Sequence, residues 1–176
     1  MPPSTSWNSA RIQNALSDAI RLREAGNVAF RAGNYKLSTE KYGEASYDTL
    51  YLKGLRHLQA IPSTDWTFVQ KITEMQFLAH TNEAASWLKY EEYNGEVSRF
   101  QKALNCTNTA EEALKEHPTA WKPSDKAMGK LLYRRALALQ GLEKYDQASL
   151  AVDEAQRLCA EDEDIRRLRT RIDNAR

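Results

Sequence analysis

Two pairs of side chains have the types and spacing to hold an anion. Arg23 and Asn27 stand four residues apart, and so do Lys130 and Arg134. Residues four apart on a helix project to the same side, so each pair would form one polar edge. Guanidinium, ammonium and amide groups donate hydrogen bonds, and those between ionised partners are the strong ones. Such edges suit recognition of carboxylates. Residues that make or break bonds are missing from the pattern: there is no glycine-rich phosphate loop, no nucleophile elbow and no Cys–His arrangement. His57, His80 and His117 share no metal spacing with Cys106, Cys159 or one another. His80 and Glu83 come nearest to a ligand pair and read as a capping or solvated histidine beside an acid. No catalytic residue, metal or cofactor is therefore expected, and the chain reads as a binding protein and not an enzyme.

The elements that must carry these residues are helical. From Asn8 to Ala32 the apolar residues Ile12, Leu16, Ile20, Ala29 and Phe30 recur mostly at three- and four-residue steps, and Gly33-Asn34 ends the run. A second helix runs from Tyr35 to about Ala60, stopped by Ile61-Pro62. Ser63, Thr64 and Asp65 are cap candidates for a third beginning at Trp66. After a break near Tyr90-Glu91-Glu92, a fourth helix carries Val97, Phe100, Ala103 and Leu104. The stretch from Asn105 to Ser124 reads as a linker with a short helix at 110–115, because Pro118 and Pro123 forbid continuity. Further helices are expected over 125–140, 145–159 and 162–175. The last places acids first and bases after, which suits its dipole.

Three segments share one frame. A small residue on the first helix of each pair (Gly26, Ala84, Ala136) is followed nine positions later by an aromatic expected to open the second (Tyr35, Tyr93, Tyr145). Ten positions further stands an alanine: Ala45, Ala103 and Ala155. These residues resemble the tetratricopeptide-repeat (TPR) family. The resemblance implies an all-α superhelix of three antiparallel helix pairs plus a C-terminal capping helix. A single domain over 1–176 follows, with repeats at about 16–60, 66–107 and 125–159. Going from position 26 to 84 takes 58 steps and from 84 to 136 takes 52, so both linkers exceed those of a bare repeat of roughly 34 residues. Ser38 and Glu96 replace the alanine usual early in the second helix of a pair, which leaves the first two repeats less tightly specified than the third. Trp66, Trp87, Trp121, Tyr42 and Phe100 read as packing aromatics, and Trp7 as a cover for the open end of the stack.

Within that family the chain resembles the dicarboxylate-clamp co-chaperone type, including immunophilin-like and aryl-hydrocarbon-receptor-interacting proteins. Arg23 and Asn27 match its first helix, Asn82 its second, Lys130 and Arg134 its third; arginine at position 23 departs from the usual lysine. The resemblance implies a ligand: the C-terminal Glu-Glu-Val-Asp tail of cytosolic heat-shock protein 90 or 70. Phe30, Ala85, Leu88 and Lys89 match neighbouring groove places, the apolar ones for the valine and the residue before the acids. A TPR scaffold holding another protein or peptide in the same groove is the alternative.

Bulk properties set outer bounds. The 176 residues carry a formal net charge of +1, too little for wholesale binding to nucleic acid or an anionic membrane. No stretch approaches the roughly 18 apolar residues of a membrane span, and the first residues lack a secretory pattern. Two distant cysteines suit reduced thiols in a cytoplasmic, monomeric module. The chain ends in a helix without a stop signal, as a fragment of a longer protein would.

Overall fold

The helical periodicity becomes seven helices in a computed structural model, which describes the backbone of residues 5–57, 66–95 and 97–175 and the side chains of 13–47, 67–95 and 97–175. They are α1 (Thr5–Arg31), α2 (Tyr35–His57), α3 (Trp66–Lys89), α4 (Arg99–Glu116), α5 (Asp125–Gly141), α6 (Tyr145–Leu158) and α7 (Glu163–Ala175). The caps proposed at Ser63, Thr64 and Asp65, together with Glu96 and the side chains of Trp7 and Trp66, fall outside the described residues.

Helix pairs α1–α2, α3–α4 and α5–α6 pack as hairpins, and each hairpin stacks on the next. The first helices of the hairpins also touch in sequence, α1 with α3, α3 with α5 and α5 with α7. They consequently share one face of the stack. The expected small residues permit the close crossings. A Cβ built on Gly26 would lie 2.7 Å from Tyr42 Cε1, and Ala84 and Ala136 are fully buried. Ala45, Ala103 and Ala155 are fully buried in turn. Ser38 fits the alanine place because its hydroxyl is satisfied: it donates to the Gly26 carbonyl (3.1 Å) and lies 2.8 Å from the Ser86 hydroxyl.

The turns at the ends of α1 and α5 use the same device. The Asn34 N–H donates to the Ala29 carbonyl across Gly33 (φ 76°), and the Lys144 N–H donates to the Leu139 carbonyl across Glu143 (φ 59°). Ser98 and Ser124 cap α4 and α5 through hydrogen bonds from the Gln101 and Ala127 amides, and Asp162 caps α7.

Two expectations fail here. The break placed after Asn105 is absent: α4 runs unbroken to Glu116, burying Cys106, Thr107, Ala110 and Ala113. Thr107 can be buried because it is satisfied, while Asn105 and Asn108 stay on the exposed face. Thr107 donates to the Leu104 carbonyl, and Arg135 of α5 donates to the Thr107 carbonyl (3.1 Å) and pairs with Glu111 (3.2 Å). Trp121, beyond Pro118, packs against Phe77 with ring centroids 5.3 Å apart. Tyr93 does not open a helix. It sits in the turn before α4 and meets Trp87 edge-on at 4.9 Å, while the Lys102 ammonium lies 5.1 Å from the Trp87 ring centre.

Candidate functional site

The shared face of α1, α3 and α5 gathers three of the five residues read as an anion site into direct contact. Tyr42, buried in α2, donates its hydroxyl to Asn27 Oδ1 (2.6 Å), and Asn82 Nδ2 donates to the same oxygen (3.2 Å). Arg134 Nη1 donates to Asn82 Oδ1 (3.3 Å) and to the Thr81 carbonyl (2.6 Å). One hydrogen-bonded chain thus crosses from the first hairpin to the third.

Arg23 joins through an acid. Its Nη2 donates to Glu24 Oε1 (2.7 Å), and Asn27 Nδ2 donates to Glu24 Oε2 (3.1 Å). These bonds, Asn27's first and Arg23's second, hold the Glu24 carboxyl below its ordinary pKa. Arg23 Nε is buried and has no partner among the described residues. Lys130 stays exposed one turn before Arg134. It lines an adjoining hollow with Lys126, Tyr133 and Asp162, and no described bond joins it to the amides.

Arg134 is the electrostatic centre. Desolvation of the half-buried side chain draws its guanidinium down to about 10, so it remains charged at neutral pH. Among the described residues it takes part in no ion pair; carbonyl and amide oxygens are its partners. A half-buried cation compensated only by dipoles retains unspent attraction for an anion.

Phe30, Ala85, Leu88 and Lys89, the expected groove residues, line a trough of about 650 Å³ with Arg134. Phe30, Ala85 and Arg134 also border the small hollow that contains Asn27 and Asn82, so the polar chain adjoins the trough, whose lining mixes apolar residues with Glu91, Asp164 and Arg171. Sequence reasoning missed Tyr133, Leu137 and Gln140, which also line the trough, and took Phe100 and Tyr42 for packing alone. The spacing Tyr133, Leu137, Gln140 on α5 carried the signal, since it repeats the four- and three-residue steps of one helix face. For Tyr42 the core reading holds, at 2% exposure, but its hydroxyl also fixes Asn27.

A second polar cluster lies where α2, α3 and α4 meet. His80, read as a capping or solvated histidine, is buried at 8% exposure, and its Nδ1 lies 3.4 Å from Glu83 Oε2. Cys106 reaches both from α4. Burial, and then the Glu83 carboxylate, push its thiol well above the ordinary range.

No family model matches the chain. Solved structures do. The C-terminal TPR-containing domain of a Plasmodium falciparum FK506-binding protein superposes with a TM-score of 0.70 at 17% identity, covering 93% of this chain and 91% of that one. The TPR domain of Arabidopsis OM64 superposes with a TM-score of 0.58 at 18% identity, covering 91% and 98%. The fold is an all-α TPR superhelix. Among the described residues no helix is long and apolar enough to cross a membrane.

Proposed function

We propose that this TPR superhelix is a non-catalytic, cytoplasmic interaction module of the co-chaperone kind. In this reading it binds the C-terminal Glu-Glu-Val-Asp tail of heat-shock protein 90 or 70. Arg23, Asn27, Asn82, Lys130 and Arg134 receive the terminal carboxylate and the last aspartate. Phe30, Ala85 and Leu88 seat the aliphatic side chains between and before the acids, and Lys89 meets a further glutamate. The observation that carries this reading is Arg134: a half-buried, charged guanidinium with no carboxylate partner among the described residues, set between an amide chain and a trough of mixed apolar and charged lining. An FK506-binding protein among the structural neighbours is consistent with the immunophilin-like resemblance.

Two close anions answer three cations. Charge-assisted hydrogen bonds contribute roughly 1.5–3 kcal/mol each, and a micromolar complex needs only about 8 kcal/mol. Calorimetry with a pentapeptide ending Glu-Glu-Val-Asp tests the reading. Micromolar binding is expected, and amidating the C-terminus should weaken it at least about tenfold, or about 1.4 kcal/mol. Equal affinity for acid and amide would leave the groove to a different protein or an internal peptide.

A further inference from the structure

The cluster of His80, Glu83 and Cys106 has the donors and spacing of a metal site. One ligating atom from each lies within 4.8 Å of the others. His80 Nδ1 and Glu83 Oε2 are 3.4 Å apart, and Ser46 Oγ of α2 is 3.4 Å from the same nitrogen. Two ligands bound tetrahedrally at zinc distances of about 2.0–2.2 Å stand about 3.4 Å from each other. The nitrogen and carboxylate oxygen already hold that separation.

Their orientation is set from outside. Trp87 Nε1 donates to Glu83 Oε1 at 3.3 Å, which leaves Oε2 to face His80. Partners of this sort orient metal-binding carboxylates. His80 Nε2 is buried without a partner among the described residues, so the polar contacts of the ring run through Nδ1, toward the cluster.

We infer that His80, Glu83 and Cys106 bind one zinc-class divalent ion, with the Ser46 hydroxyl or a water as fourth ligand. One nitrogen, one oxygen and one sulfur suit zinc; magnesium and calcium favour oxygen ligands. The Cys106 thiol loses its proton to solvent as the ion binds, and the thiolate and carboxylate then neutralise the dication, so no net charge is buried. The ion ties α3 to α4, and Ser46 would extend the tie to α2. Thr81 and Asn82, which hold Arg134, lie between the two α3 ligands.

The test uses the full chain carrying Cys159→Ser, in which Cys106 is the remaining thiol. Under reducing conditions, cobalt(II) titration should give a thiolate-to-cobalt charge-transfer band saturating at one ion per chain, with zinc displacing the cobalt. Cys106→Ser and His80→Gln should each lose the band while circular dichroism reports an unchanged fold. Trp87→Phe should lower the affinity by about tenfold or more. Absence of the band in folded Cys159→Ser protein overturns the inference, as does a band that survives in His80→Gln at unchanged affinity. Should the ligand variants fail to fold, the Cys159→Ser protein decides alone, by whether its charge-transfer band appears.

Discussion

Tyr42 shows how one side chain can serve both fold and site. Its ring is the partner that Gly26 admits, and its hydroxyl holds Asn27 at 2.6 Å. Tyr42→Phe keeps the ring and deletes only the hydroxyl. The expected outcome is a stability loss of about 1 kcal/mol in chemical denaturation, with tail-peptide affinity falling several-fold because Asn27 is no longer held. Lys130 is the opposite case. It is exposed, so Lys130→Ala should change stability by less than about 0.5 kcal/mol while reducing tail affinity at least about tenfold. A Lys130→Ala protein that binds the peptide as well as the native one removes Lys130 from the site. Residue types and four-residue spacing singled out Asn27 and Arg134, which the structure joins through Asn82, because one helix face repeats every three to four positions. The His80–Glu83–Cys106 cluster was not legible: Cys106 comes from another helix, and no periodicity links it to position 80.

At the scale of elements, α4 was misread because Asn105, Thr107, Asn108 and Thr109 look like a linker in sequence. Polar residues can be buried when each finds a partner, and Thr107 finds both the Leu104 carbonyl and Arg135. Hydrogen exchange should therefore find the amides of residues 105–113 as protected as those of α5; free exchange there would restore the linker reading. The hairpin frame itself was legible, since buried Gly26, Ala84 and Ala136 sit where two helices cross. Its turns hold one improvable position. Glu143 occupies left-handed backbone that glycine takes at position 33. Relief of that strain, roughly 1–2 kcal/mol, exceeds glycine's extra entropy cost of roughly 0.5–1 kcal/mol. Glu143→Gly should accordingly raise the thermal midpoint slightly, and a lower midpoint would show that the Glu143 side chain has a stabilising contact.

For the whole molecule, a net charge of +1 leaves little overall attraction to acidic ligands, so the proposed tail binding must draw on local charge. The screening length is about 10 Å at 0.1 M salt and acts on exposed charges far more than on buried ones. Tail affinity should thus fall with salt through exposed Lys130 and persist in part through half-buried Arg134. Calorimetry across a salt series should give a shallower dependence for Lys130→Ala than for the native chain. Parallel salt curves would mean that the screened attraction arises elsewhere.

The bonds from Asn27 to Asn82 and from Asn82 to Arg134 cross the two seams between hairpins, and they measure 3.2 and 3.3 Å. Lengthening of a few tenths of an ångström ends a bond of that kind. In a stack of repeats each hairpin touches only its neighbours, so the seams are where elongation would be taken up. In the proposed reading, tension that opened a seam would loosen the anion site while every helix is still intact, with the 2.6 Å bond from Arg134 to the Thr81 carbonyl the last to yield.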